Sequence, residues 1–321
     1  MHDALPVVRV VVSRRIELAV GVVGLELTRA DGRRLPAFTA GSHIDLHLGN
    51  GLVRQYSLTD SGRSSGVYRI AIHRAQDSRG GSRWLHDDLA TGDVLAVGLP
   101  RNHFGLWPDA RRHTFVAGGI GITPIISMIR RCEEIGADWR LLYCARGPEH
   151  AAFADELSRF ADRVAFLYEA RRNLGTLAAF LSNSRDGDHL YCCGPHGLMD
   201  AAVSRAAPGY PSHRIHLERF GPTAGTPPER SVGRAFDVTL ARTGKTLRVP
   251  EHVSLLEALE AVGMALPNAC REGMCRTCET RVLRGAIDHR DYVLSDEERE
   301  KGASMMICVS RASGDRIELD L

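Results

Sequence analysis

Four cysteines carry the most specific chemistry in the chain. Cys270, Cys275 and Cys278 stand at C-x4-C-x2-C spacing in Cys270-Arg-Glu-Gly-Met-Cys275-Arg-Thr-Cys278, and Cys308 follows in Met-Ile-Cys-Val-Ser. This is the plant-type [2Fe–2S] pattern, in which one loop wraps the cluster and a distant thiolate closes it. Two irons and two sulfides need four anionic sulfurs, and a loop holding three of them must turn tightly, which Gly273 permits. A zinc ribbon would show two C-x2-C pairs, and here there is one. A disulfide framework suits a small secreted domain, and this chain has 321 residues. The other cysteines, Cys132, Cys144, Cys192 and Cys193, sit in apolar or mixed runs and read as reduced core thiols. Such a cluster carries one electron at a time, so the rest of the chain should supply a donor and an outlet.

A second set of residues suits a flavin. Arg54-Gln55-Tyr56-Ser57-Leu58 ends a strand-like run, His73-Arg74 ends another, and Arg79-Gly80-Gly81-Ser82 opens a helix-like one. Tyr56 can pack on an isoalloxazine, Ser57 can hydrogen-bond near its reactive edge, and Arg54 can meet a phosphate with two donors. Gly80-Gly81-Ser82 offers backbone N–H groups and a hydroxyl to an anion, though an ordinary glycine turn with Ser82 as the helix cap reads equally well.

A third set suits a dinucleotide. Gly118-Gly119-Ile120-Gly121-Ile122-Thr123-Pro124 lies between a strand and a helix and resembles, without matching, the G-x-G-x-x-G fingerprint. Tyr191-Cys192-Cys193-Gly194-Pro195 ends a later strand at the edge where such sheets bind ligands. Cys193 there can approach a nicotinamide or be a plain buried thiol. Glu218-Arg219-Phe220 follows, and Phe220 can cover a flavin face or join the core.

The surrounding elements follow from rhythm. Short strand-like runs at Val7–Ser13, Ile16–Thr28, His43–Leu48, Arg54–Leu58, Tyr68–His73 and Val94–Leu99, broken by Gly and Asp, predict a small barrel, with a helix over Ser82–Leu89. From His113 strands alternate with helices: strands at 113–117, 140–143, 164–168 and 189–192, and helices after Pro124 and at 151–161, 176–181 and 198–206, which predict a parallel sheet. The Gly-, Pro- and Thr-rich run Gly221–Gly233 reads as a linker. Beyond it come strands at 235–240 and 246–249 around Thr243-Gly244, and a helix opened by the capping box Ser254–Glu257. The expected division is a flavin barrel at 1–108, an α/β nicotinamide domain at 109–222, a linker at 223–233 and an iron–sulfur domain at 234–321.

Composition excludes other classes. Hydrophobic content of 44% with 25% charged residues is that of a globular protein. A net charge of +2 implies no polyanion, hence no nucleic-acid partner. Met-His-Asp-Ala-Leu-Pro is no signal peptide and Val7–Val12 is too short to span a bilayer, so a cytoplasmic protein without a membrane partner is expected.

Taken together, these motifs resemble the phthalate dioxygenase reductase family, FMN/[2Fe–2S] reductases that feed Rieske oxygenases. The resemblance rests on Arg-Gln-Tyr-Ser-Leu, Arg-Gly-Gly-Ser, Leu-Pro-Arg-Asn-x-Phe at 99–104, Gly-Gly-Ile-Gly-Ile-Thr-Pro, Tyr-Cys-Cys-Gly-Pro, Asp288-His289-Arg290-Asp291 with Leu294, and the four cysteines. It spans nearly the whole chain with the motifs in the family's order. It implies FMN, NADH, a C-terminal ferredoxin domain of β-grasp type and a terminal Rieske oxygenase as partner. By position it implies FMN contacts at Arg54, Tyr56, Ser57, Ile72, His73, Arg74, Gly80, Gly81 and Ser82. It implies dinucleotide contacts at Gly118, Gly119, Gly121, Thr123, Cys193, Gly194 and Pro195. Ser57, Thr123, Cys193 and Phe220 would surround the reacting rings, and Cys270, Cys275, Cys278 and Cys308 would hold iron. Where the family commonly has glycine after the second cluster cysteine, this chain has Arg276, expected to be exposed and to bear on cluster potential or docking. An FAD-containing relative of ferredoxin–NADP reductase is the nearest enzymatic alternative. A redox carrier or sensor without turnover is the other, and the dinucleotide motif argues against it.

Overall fold

The computed structural model describes residues 6–62, 66–168, 174–206, 209–220 and 233–321. They form two compact units, Pro6–Glu218 and Arg219–Leu321.

The first unit opens with six antiparallel strands, β1 (Val7–Ala19), β2 (Val22–Arg29), β3 (His43–His47), β4 (Val53–Ser57), β5 (Tyr68–His73) and β6 (Val94–Gly98), in the order β4-β3-β6-β1-β2-β5. An isolated bridge between Leu58 and Ile70 brings the two ends together, so the sheet curls into a barrel. Alternate residues fill it: Val10, Val12, Val23, Leu25, Leu27, Ile44, Leu46, Ile70 and Ile72 are all buried. The chain does not break at Ser13 as the sequence suggests. β1 runs on through a register shift between Val12 and Arg14, and the hairpin closes at Val20-Gly21, where Gly21 takes φ +72°. The following helix α1 (Gly81–Asp87) is not capped by Ser82. Gly80 is its N-cap at φ +91°, and the Ser78 hydroxyl accepts the Arg83 N–H at 3.2 Å.

Five parallel strands follow: β7 (Arg112–Gly118), β8 (Trp139–Ala145), β9 (Val164–Tyr168), β10 (Asp188–Cys193) and β11 (Ile215–Glu218), ordered β11-β10-β7-β8-β9. Helix α2 (Ile122–Ile135) buries Ile122, Ile125, Ile126, Met128, Ile129 and Cys132 at helical spacing and ends at Gly136, φ +69°. The expected helix over 151–161 is broken: a 3₁₀ turn at Pro148–His150, a single turn α3 (Ala154–Leu157), and another 3₁₀ turn at Ser158–Phe160. Helices α4 (Leu174–Ser182) and α5 (His196–Ala206) lie beyond.

Barrel and parallel sheet share one core. Val22, Ala40, Ala71 and Phe104 pack in the same cluster as Phe115, Ile122, Ile126 and Tyr191. Polar groups of α2 lock the seam: the Ser127 hydroxyl donates to the Asp60 carbonyl at 2.7 Å and accepts the Gly41 N–H at 3.1 Å, while Arg130 donates to the Thr59 carbonyl at 2.8 Å.

The second unit is a mixed sheet of β12 (Phe236–Leu240), β13 (Lys245–Val249), β14 (Glu279–Arg284), β16 (Ser304–Met306) and β18 (Arg316–Leu319), ordered β13-β12-β18-β14-β16. β12 and β18 are parallel, and a short pair β15 (Ile287–Asp288) and β17 (Arg311–Ala312) lies apart. Phe236, Val238 and Leu240 alternate into a core completed by Leu255, Leu256 and Leu259 of helix α6 (Leu255–Ala261). Both α6 and α7 (Asp296–Lys301) start with full capping boxes, Ser254–Glu257 and Ser295–Glu298. A helix crossing one face of a mixed sheet with parallel central strands is the β-grasp architecture. Residues 221–232, most of the expected linker, lie outside the described residues.

Candidate functional site

The order of the parallel strands reverses between β7 and β10, because β8 and β9 extend one way and β10 and β11 the other. Ligands of such sheets bind at that crevice, beyond the carboxyl ends of the strands. Both glycine-bearing loops lie there. A Cβ on Gly121 would fall 2.2 Å from the Cys193 carbonyl oxygen, and one on Gly118 would meet Pro195 at 2.6 Å and the Gly194 Cα at 3.3 Å. These two glycines therefore serve first to let the loops touch, while Gly119, at φ +53°, has open space above it. Thr123 is buried and its hydroxyl donates to the Ile120 carbonyl at 3.0 Å.

Cys193 is fully buried, and burial pushes its thiol well up, so it is no nucleophile. Its partner across the ladder is Glu218, the last residue of β11. Burial raises the Glu218 carboxyl to about 8, and its Oε2 is buried with no hydrogen-bond partner. Sequence reasoning missed both β11 and the pairing, because Ile-His-Leu-Glu is short and half polar. Phe220 follows β11 with 49% of its surface exposed.

The expected flavin residues fall on three segments of the barrel. Arg54, Tyr56 and Ser57 are on β4, Ile72 and His73 end β5, and Gly80, Gly81 and Ser82 begin α1. β4 and α1 meet: a Cβ on Gly81 would lie 2.7 Å from Arg54 Nε. Among the described residues the Arg54 guanidinium meets only carbonyl oxygens, donating to Val53 at 2.9 Å and Arg79 at 3.5 Å. A cation with no carboxylate partner, lying over Gly81, fits a phosphate-bearing cofactor. Burial raises the Tyr56 phenol, so it stays protonated.

The remaining barrel residues are engaged locally. The Ser82 hydroxyl donates to Ser78 Oγ at 3.0 Å and accepts the Ala75 N–H at 3.2 Å. Arg74 pairs with Asp87 at 2.8 Å. Ile72 points into the barrel core and offers backbone only. Burial, and then the charges of Arg146, His86 and His150, lower the His73 pKa below its ordinary value. β5 also lies against the Gly119–Gly121 turn, which brings the barrel residues to the crevice of the parallel sheet.

In the second unit the four thiols form two pairs. The neighbouring Cys275 raises the Cys270 thiol and the neighbouring Cys278 raises that of Cys308, so the four free cysteines lie as two adjacent couples. The neighbouring Cys270 thiol lowers that of Cys275. The N–H groups of Glu272 and Met274 donate to Cys270 Sγ at 3.3 and 3.4 Å. Among the described residues no three His, Cys, Asp or Glu side chains converge on one metal position. Two sulfur pairs are what a two-iron cluster takes, two thiolates to each iron, and backbone N–H groups offset the charge. The donor set fits the group.

Residues 238–313 match the family model for the 2Fe-2S iron-sulfur cluster binding domain. The solved structure titled phthalate dioxygenase reductase, a modular structure for electron transfer from pyridine nucleotides to [2Fe-2S], superposes with a TM-score of 0.73 at 36% identity, covering 98% of both chains. This chain belongs to the phthalate dioxygenase reductase family. Within reach of the family lies the carnitine monooxygenase reductase subunit of Escherichia coli (strain K12), 42% identical over 302 residues and covering 92% of each chain. A self-sufficient type IV cytochrome P450 monooxygenase is similar over 98% of this chain, with a TM-score of 0.88 and 38% identity; the chain spans 41% of that protein.

In this phthalate dioxygenase reductase relative the cluster loop carries Arg276 directly after Cys275. Arg276 adopts φ +55°, the left-handed conformation that glycine takes most readily and that costs another residue about 1–2 kcal/mol. It is not the free surface cation expected from its place in the loop. Its guanidinium turns back to Glu298 on α7, with oxygens at 2.7 and 2.8 Å, and to the Val293 carbonyl at 3.0 Å. No described helix is long and apolar enough to cross a membrane.

Proposed function

We propose that the chain is the NADH-dependent reductase component of an oxygenase system, carrying FMN and one [2Fe–2S] cluster and delivering electrons to a terminal Rieske oxygenase in the cytoplasm. The observation that carries the reading is the combination, in one chain, of a switch-point crevice abutting a flavin-type barrel and a β-grasp unit with four free cysteines, three of them buried and Cys270 half-buried. FMN bound there would supply the conversion of a hydride's electron pair into single electrons for the cluster, which no carrier lacking a flavin could do.

The protein's own residues bind and orient. Arg54 and Gly80-Gly81-Ser82 receive the FMN phosphate, and Tyr56, Ser57 and the backbone at Ile72–Arg74 hold the ring system. Gly119 leaves room for the dinucleotide and Gly118 and Gly121 let the two loops close beside it, with Thr123 and Cys193-Gly194-Pro195 against its nicotinamide end. Phe220 covers the exposed flavin face. No side chain has to act as a strong acid or base; close stacking of the two rings does the work. Cys270, Cys275, Cys278 and Cys308 ligate iron. The three-domain division at 108/109 and through 223–233 is part of this proposal, supported by the separate barrel, parallel and β-grasp sheets.

The test is reconstitution. Purified protein should contain FMN by mass, iron and sulfide in equal amounts, and NADH-dependent cytochrome c reductase activity. Adding a Rieske oxygenase should give product formation; support of a P450 haem domain alone would keep the reductase function and overturn the Rieske assignment. Bound FAD in place of FMN would favour the ferredoxin–NADP reductase type.

A further inference from the structure

Among the described residues three non-glycine residues have positive φ, and two of them, Arg271 and Arg276, lie in the cluster loop, each at φ +55°. Each is tied by its side chain to a different helix. Arg271 donates to Glu260 Oε1 on α6 at 2.5 Å and to Asn268 Oδ1 at 3.1 Å. Arg276 donates through Nη2 to both oxygens of Glu298 on α7 and to the Val293 carbonyl, and its Nη1 lies 3.5 Å from Glu279 Oε2 on β14. Glu298 is shared: its Oε2 also accepts the Ser295 N–H at 2.8 Å, closing the capping box. The two struts flank the stretch that carries Cys275, with Gly273 between them at φ +70°, pressed against Asp291 and Val309.

We propose that Arg276, through the contact of its Nη2 with Glu298, is a positioning residue that holds the cluster loop in its left-handed turn, fixing the cysteine pairs and so the persistence and reduction potential of the cluster; this rests on the four-cysteine reading above. The strut spends its charge inward, so Arg276 is not a docking cation. The two struts differ in weight. The Arg276 side chain is 20% exposed beside a Glu298 that is 41% exposed, and it has the Val293 carbonyl and Glu279 as further partners. Arg271 is 49% exposed beside a Glu260 at 29%, and an exposed ion pair contributes little. Arg276 is therefore the strong member and Arg271 the weak one.

The experiment uses the full-length protein. Iron and acid-labile sulfide in the wild type come first; their absence after anaerobic reconstitution overturns the cluster reading itself. With the cluster present, the rate of visible bleaching under an iron chelator, the midpoint potential and the EPR line shape of the reduced cluster are compared in Arg276→Ala, Glu298→Gln, the double variant, Arg276→Lys, Arg271→Ala and Ser295→Ala. Each single change at Arg276 and Glu298 should speed bleaching about tenfold and alter the EPR signal, and the double variant should be no faster than either. Arg276→Lys should restore part of the loss, and Arg271→Ala should stay within about twofold. Three results overturn the strut: Arg276→Ala bleaching at the wild-type rate, effects of the two single variants that multiply in the double, or Ser295→Ala reproducing Glu298→Gln, which would make Glu298 only a helix cap.

Discussion

Cys193 and Glu218 stand side by side at the carboxyl ends of adjacent parallel strands, a buried thiol beside a half-buried glutamate whose Oε2 is buried and unpartnered. Burial lifts Glu218 from its ordinary 4.5 to about 8, so the folded chain keeps this proton after the unfolded chain has lost it. The contribution to stability is complete below about pH 4.5 and is lost as pH rises through 8. Glu218→Gln should remove that slope and leave the variant about 1–3 kcal/mol more stable than wild type at pH 9. Urea unfolding of the holoprotein at intervals from pH 5 to 9 measures it; parallel curves for the two proteins would mean that the carboxyl finds solvent.

Gly121→Ala should fold poorly or lose several-fold in nicotinamide affinity, because its Cβ would fall 2.2 Å from a backbone oxygen that cannot step aside. The expected destabilisation is about 2–4 kcal/mol, typical of a forced backbone shift. Gly119→Ala meets no such obstacle but strains a φ of +53°, at about 1 kcal/mol. Thermal melts of the two variants should rank in that order.

Cys275→Ser should abolish the iron–sulfur absorption and leave flavin reduction by NADH intact, because the cluster unit has its own core around Phe236, Val238 and Leu259. Stopped-flow absorbance at the flavin band decides it. A folded variant that no longer reduces its flavin would show that the two units depend on one another.

Arg54→Gln should weaken FMN retention by about 1.5–3 kcal/mol, the worth of a hydrogen bond to a charged group, since no carboxylate now competes for the guanidinium. Ser82→Asp should act the same way through like-charge repulsion. Flavin remaining after dialysis is the readout, and full retention in Ser82→Asp would leave that hydroxyl to its bond with Ser78 alone.

NADH should be preferred to NADPH. The turn after β8 holds Arg146 with Glu149 nearby and no Ser or Lys, a thin set of donors for a 2′-phosphate. The charge of Arg146 also reaches His73, on the barrel side of the crevice. Steady-state kcat/KM with both cofactors tests this, and Arg146→Ala should narrow whatever NADPH activity exists.

Much of this was legible in the chain, and the parts that were not share a cause. Alternation announced β12, the glycine-rich turn announced the crevice, and cysteine spacing announced the cluster loop, all signals confined to a few consecutive residues. The break at Val20-Gly21 was hidden because β1 absorbs a bulge at Ser13 without leaving the sheet. The short strand β11 was hidden because a neighbour, β10, makes it a strand. The inward turn of Arg276 was hidden because its partner, Glu298, comes from a different helix. Local pattern marks elements; through-space pairing decides what an exposed-looking side chain does.

The continuous core formed by Val22, Ala71 and Phe104 with Phe115, Ile126 and Tyr191 has a consequence for how such genes can be spliced. A crossover near residue 108 between two diverged parents would set one parent's α2 hydroxyls and isoleucines against the other's barrel, and most chimeras would be lost to misfitted side chains. A crossover beyond Glu218 cuts between units that each keep their own interior, so electron outlets of different parentage can be exchanged on an unaltered flavin end.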